Sequence, residues 1–239
     1  MARVEYTQSL DALEASLQEL GAVVLRALRG ALDALESQDV ELCDEVVAFD
    51  DEIDTRYHQI ERSVEELLAQ QGPVATDLRR VLAILHDSIH LERIGDQSVT
   101  IAKLTKLAAD LEPRAELADG LSEMGERAVH MVNVALDSFA NRDLDEARTL
   151  PDLDELIDRT NRRVMGQVLG MADTPGSQEW GMRMVIVSRC IERVGDNAVD
   201  IGEQVAYLLT GEFREFTDAS HREGSSASFA EGEHGDERP

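Results

Sequence analysis

Residues 91–104 read LERIGDQSVTIAKL and residues 191–204 read IERVGDNAVDIGEQ, a near-repeat at a shift of 100 positions. A second pair lies upstream of each copy: FDDEID at 49–54 and LDELID at 153–158, shifted by 104. Two different segments that recur in the same order at nearly the same spacing mark an internal duplication. Two copies of this length make a pair of bundles rather than a solenoid, with 4–110 and 113–211 as the two repeats.

Working outward from the repeat, apolar spacing supplies the helices. The first segment places Leu10, Leu13, Leu17, Leu20, Val24, Leu28 and Leu35 at steps mostly of three and four, and the second continues with Val46, Phe49, Ile53, Tyr57, Ile60, Val64 and Leu67. The third carries two seams, Leu78, Leu82, Leu85, Ile89 and Val99 beside Val81, Ile84, Leu91, Ser98 and Ile101, as expected of a helix packed on two sides. Breaks fall at Ser37-Gln38-Asp39, Gln71-Gly72-Pro73, Leu111-Glu112-Pro113, Asn141-Arg142-Asp143 and Asp173-Thr174-Pro175-Gly176. Five breaks predict six helices, hence an all-α fold of two tandem three-helix bundles. Pro151 lies inside the fifth segment, where its missing amide predicts a kink or a late helix start. From Glu212 the chain loses apolar periodicity and ends in EGEHGDERP, so 212–239 reads as a disordered acidic tail.

Composition agrees and excludes several functions. Aromatics are 4% of 239 residues, too few for an extensive sheet. A net charge of −26 repels phosphate backbones and anionic headgroups, so no direct nucleic-acid binding is expected. No apolar h-region opens the sequence and no run of eighteen apolar residues occurs, which predicts neither a signal peptide nor membrane insertion. Cys43 and Cys190 are too few for a disulfide framework and read as buried reduced thiols, so a cytoplasmic location is expected.

One anomaly stands out against the apolar rhythm. On the third segment, Glu92 and Asp96 occupy seam positions between Ile89 and Val99, and the second repeat places Glu192 and Asp196 likewise, with Asp200 one turn on. The preceding helix of each half offers Asp50 with Asp54, and Asp154 with Asp158, also at i,i+4. Like charges at that spacing repel, and more strongly once desolvated. Hairpin arithmetic brings the pairs together: Asp54 lies 18 residues before Gly72 and Glu92 lies 20 after it, while Asp50 and Asp96 lie 22 before and 24 after. At 1.5 Å per residue the mismatch is roughly 3 Å. In the second half, counted from Thr174, the offsets are 16 and 18 for Asp158 and Glu192, and 20 and 22 for Asp154 and Asp196. Each half thus levels four carboxylates on adjacent antiparallel helices, an acceptor-only site suited to Mg²⁺, Mn²⁺ or oxidised iron. The competing reading is a solvated acidic face paired with Arg56, Arg93, Arg159 or Arg193.

Other motifs are weaker. His86 and His90 in HDSIH have the spacing of a zincin helix, but Asp87 stands where the glutamate belongs and the second repeat has Ile186 and Cys190. The Glu-x-x-His spelling of di-iron bundles occurs only at Glu231 and His234 in the tail. Neither a Walker lysine nor a nucleophile elbow is present, so no catalytic engine is visible and a non-enzyme is expected.

The twofold E-R-[IV]-G-D signature, each copy preceded by D-x-x-x-D on the previous helix, resembles the PhoU family of phosphate-transport accessory regulators over residues 4–211. The resemblance implies metal ligands at Asp50, Asp54, Glu92 and Asp96 in one half and at Asp154, Asp158, Glu192 and Asp196 in the other, with Asp200 as a possible addition. It implies divalent or trivalent ions (iron, manganese, magnesium or zinc) and a negative regulator of phosphate uptake and phosphate-starvation signalling. Such an adaptor joins the ATPase subunit of a phosphate ABC transporter to a sensor histidine kinase, as a homodimer, in the cytoplasm or at the inner face of the membrane. Pro151 and the acidic extension after 211 depart from the family pattern and leave the local geometry of the fifth segment open. A carboxylate-bridged metalloenzyme and a plain helical scaffold are the alternatives.

Overall fold

The computed structural model describes residues 2–171 and 175–216. The elements in chain order are α1 (Ala2–Ser37), α2 (Val40–Gln71), α3 (Ala75–Ala108), α4 (Ala115–Asn141), α5 (Leu144–Ala147), α6 (Leu150–Leu169) and α7 (Pro175–Thr210). Among the described residues there are thus six long helices and a single turn, α5, with no strand. Residues 217–239, most of the tail expected to be disordered, lie outside the described residues, as do Ala172, Asp173 and Thr174 of the last predicted break.

Local chemistry explains where the helices stop. Asp39 caps α2 by accepting the backbone N–H groups of Glu41 and Leu42 at 2.9 and 3.1 Å. Gly72 closes α2 in the left-handed region at φ 53°, its N–H bonded to the Leu68 carbonyl, and Pro73 follows to forbid continuation. Arg142 takes the same role after α4 at φ 58°, and Asp143 caps the next turn through the Glu146 amide. Pro151 stands in the first turn of α6, where its missing N–H costs nothing; the late start, rather than a kink, is the solution adopted.

Packing unites the halves along two central helices. α3 lies against α1, α2 and α7; α7 lies against α3, α4, α5 and α6; α1 also reaches α4. α3 and α7 run antiparallel, since His90 meets Asn197 while Arg79 lies beside Gly211. The predicted α1 stripe is buried from Leu10 to Leu28, with Leu35 half-buried, and α2 buries Val46, Ile53, Ile60, Val64 and Leu67. On α3 the second seam forms the core, whereas Leu78, Leu82, Leu85 and Ile89 of the first are not uniformly part of it: Leu78 and Leu82 are half-buried or less, and Leu85 is half-buried. The rest of the buried surface of α3 comes largely from small residues, Ala83, Ser88, Gly95, Ala102 and Thr105, which let neighbouring backbones approach. Both cysteines are free and buried, and burial pushes both thiols up.

Candidate metal centres

Each carboxylate quartet sits where α2 meets α3 or where α6 meets α7, and a glycine makes the meeting possible. A Cβ at Gly95 would lie 2.8 Å from Ile53 Cδ1, and one at Gly195 would lie 2.5 Å from Asp154 Oδ1. The glycine of E-R-[IV]-G-D is therefore a close-approach residue: it draws the helix carrying Glu92 and Asp96 onto the one carrying Asp50 and Asp54, and likewise in the second half.

In the first half, Asp54 and Asp96 are exposed while Asp50 and Glu92 are half-buried. Burial raises the Glu92 carboxyl, and the charges of Asp96, Asp54 and Asp50 raise it further, with only Arg93 opposing. Asp96 is raised by burial and then by Asp50 and Asp54, with Lys103 opposing. The four groups thus feel one another across the hairpin, as the offsets from Gly72 require. Among the described residues none of the four carboxylates makes a side-chain hydrogen bond or salt bridge. Arg56, one of the arginines that the competing reading pairs with this face, turns instead to Glu52 and to Glu19 at 2.9 Å.

The second half repeats the arrangement with two differences. Asp154 is pushed up to about 7 by burial, then by Asp196, Asp158 and Glu155, and its buried Oδ1 has no partner. Asp196 is raised by burial and by Asp158 and Asp200, against Arg189 and Arg193. Glu192 is 7% exposed and paired with Arg189, leaving its Oε2 without a hydrogen bond, and Asp158 pairs with Arg162 at 3.3 Å. Arginines therefore compete for two of the four carboxylates here. Arg159, one of the two arginines that the competing reading names for this half, bonds Glu155 instead.

Asp200 points toward the seam between halves. His90 Nδ1 lies 3.0 Å from Asn197 Oδ1 and 3.3 Å from Asp200 Oδ2, so this histidine belongs to the α3–α7 interface. His86 is exposed. Within HDSIH, His90 is thus an interface residue, and Asp87 is buried with both its oxygens unpartnered. Burial raises Asp87 well above the ordinary carboxylate range, and Arg142 opposes the shift.

Among the described residues no three His, Cys, Asp or Glu side chains stand close enough to share one ion. The carboxylates of each quartet act on one another electrostatically across the helix pair. The donor set nevertheless fits a hard cation. It is oxygen only, it is held level by the helix pairing, and it contains orphaned buried oxygens at Asp154 and Glu192. Among the described residues the first quartet keeps all four carboxylates out of salt bridges with arginine, whereas the second has two of them paired and supplies the orphaned buried oxygens.

A tandem three-helix-bundle protein with an acidic patch on the second hairpin of each half is the class that fold and site define. The sequence profile of the PhoU domain matches twice, over residues 17–105 and 121–205, and the chain belongs to the PhoU family. Similar proteins include a phosphate-specific transport system accessory protein PhoU homolog of Clostridium acetobutylicum, 29% identical over 213 residues that span 88% of this chain and 97% of the relative. The crystal structure of PhoU from Pseudomonas aeruginosa superposes with a TM-score of 0.83 at 28% identity, covering 87% of this chain and 100% of that one. The phosphate transport system regulatory protein PhoU from Streptococcus pneumoniae gives 0.81 at 30% identity, covering 87% and 99%.

Proposed function

We propose that this chain is a metal-binding, non-enzymatic regulator of phosphate homeostasis, restraining phosphate uptake and phosphate-starvation signalling as an adaptor between a phosphate ABC transporter ATPase and a sensor histidine kinase. The observation that carries the reading is the pair of facing carboxylate quartets on a duplicated bundle, in a chain whose relatives are named for accessory and regulatory roles in phosphate transport. Asp50, Asp54, Glu92 and Asp96 hold one ion or cluster, and Asp154, Asp158, Glu192 and Asp196 hold the other, with Asp200 at its margin. A bound cation supplies positive charge that cancels the mutual repulsion. The residues themselves position the oxygens, and α2 and α6 present the patches on the outer sides of the central α3–α7 pair. Rigid helical faces suit partner docking, and a dimer of the chain is part of the proposal. The test is deletion of the gene followed by complementation. Loss should raise phosphate uptake and starvation-gene expression, and the wild-type chain should restore both. Unchanged uptake and expression in the deletion strain would refute the regulatory role, and failure to recover either the transporter ATPase or the kinase by in-cell crosslinking would refute the adaptor role.

A further inference from the structure

Away from the carboxylate quartets, a cavity of about 570 Å³ opens at the junction of the two halves, where the C-terminal ends of α1 and α3 meet the N-terminal parts of α4 and α7. Its walls are apolar: Trp180, Met184 and Leu121 are buried, and Leu32 and Val129 are half-buried. Its rim is acidic, with Asp33, Glu36, Asp119 and Glu126 exposed around it and Arg29 the one cation of the lining. None of these carboxylates makes a side-chain hydrogen bond or salt bridge among the described residues, unlike Glu123, Glu155 and Glu179, each paired with arginine. The helix ends contribute partial charges of both signs. α1 ends beside the cavity at Ser37 with no basic residue in its last turn, and the lysine near the end of α3, Lys106, is engaged by Asp44 at 2.5 Å. The C-terminal ends of α1 and α3 contribute partial negative charge and the N-terminal ends of α4 and α7 partial positive charge, so the exposed carboxylates set the sign of the rim. A volume of this size suits a small ligand with an apolar body.

We propose that this cavity binds an organic cation, an ammonium or guanidinium group carried on an aliphatic or aromatic body. The body enters among Trp180, Met184 and Leu121, and the charged head remains at the rim among the carboxylates. A neutral ligand of the same shape gains only the walls, and an anion is repelled. The same chemistry occurs in a free amphipathic amine and in a lysine or arginine next to a leucine in an exposed segment of a protein. The site stands apart from the metal reading and does not depend on it.

Trp180 is the sole tryptophan of the chain, so its fluorescence reports occupancy directly. The full chain is titrated in EDTA with 4-phenylbutylamine, and separately with the peptide acetyl-Leu-Lys-Leu-Arg-Leu-amide. The neutral controls are 4-phenylbutanol and the same peptide with glutamine in place of lysine and arginine. The expected result is a saturable change with at least one cation, about tenfold tighter than its neutral control. The change should weaken about tenfold in the Asp119→Asn/Glu126→Gln variant and be lost in Ala118→Phe, which fills the cavity from an exposed position on α4. Retained helicity in both variants excludes misfolding as the cause. Binding of the amine alone assigns the site to a free ligand, and binding of the peptide alone assigns it to a protein segment; both support the proposal. Saturation by neither cation, equal affinity for the neutral controls, or full affinity in well-folded Ala118→Phe overturns it.

Discussion

Replacing Asp154 with asparagine should stabilise the metal-free protein and destabilise the metal-loaded one. In the folded chain this carboxyl is raised from 3.8 to about 7, first by burial and then by Asp196, Asp158 and Glu155. A carboxyl held that high contributes stability that is complete below about pH 4 and is lost as pH rises toward 7, because the folded state binds a proton that the unfolded state has released. At about 1.4 kcal/mol per pH unit the full cost at pH 8 is about 4 kcal/mol. Water reaching this half-exposed group screens about half of that, which leaves about 2 kcal/mol. The introduced asparagine carries no charge and keeps the shape, so in EDTA the variant should gain about 2 kcal/mol at pH 8 and about 1 kcal/mol at pH 5, by the same discounted arithmetic. For a chain of this size that is a rise in Tm of about 4–8 °C at pH 8. Urea unfolding followed by circular dichroism reads the difference at both pH values. With saturating Mn²⁺ the order should invert, because the wild type gains binding energy that the variant has partly lost. A variant less stable than wild type in EDTA at pH 8 would refute the reasoning, since the Asp154 charge would then be compensated.

Three further perturbations test other parts of the structure. Gly95→Val drives side-chain atoms into Ile53, already 2.8 Å from an added Cβ, and should cost about 1–2 kcal/mol by denaturant unfolding after the better helix propensity is allowed for. Glu14→Ala removes the acceptor shared by Arg80 of α3 and Arg142 just after α4, each at 2.6 Å, and should cost about 2 kcal/mol; an unchanged urea midpoint would show that this link between halves is idle. Glu203 accepts the Phe216 N–H at 2.8 Å, and its carboxyl is raised to about 7 by burial, with the Phe216 N–H opposing and Asp200 and Glu215 adding to the rise. Glu203→Gln keeps an acceptor and removes the charge, so it should stabilise by about 1–2 kcal/mol at pH 8, discounted for solvent, with the gain shrinking as pH falls toward 5.

Much of the fold is legible in the sequence because its determinants are local. The stripe from Leu10 to Leu28, the Gly72-Pro73 stop and the Asp39 cap each act within a few residues, and the duplication tells that what holds for one half holds for the other. The level pairing of the carboxylates is legible for a related reason: antiparallel helices joined by a short turn fix height by counting. What escapes is set by contacts between distant segments. The Glu14 link depends on α1 meeting both α3 and the end of α4, and the His90–Asp200 contact depends on how the two halves dock. The arginines beside the second quartet give no periodic signal either, because Arg162 and Arg189 are surface residues in any helical reading. On α3 the apolar rhythm favoured two equal seams, and the small residues that bring the helices close were the stronger signal.

The most direct test of the central claim is elemental analysis of tag-free protein alongside paired variants, Asp50→Asn/Asp96→Asn for the first quartet and Asp154→Asn/Asp196→Asn for the second. Each pair should remove the metal of its own half and leave the other half loaded, with helicity intact. Metal content equal in wild type and in both variants would contradict the account.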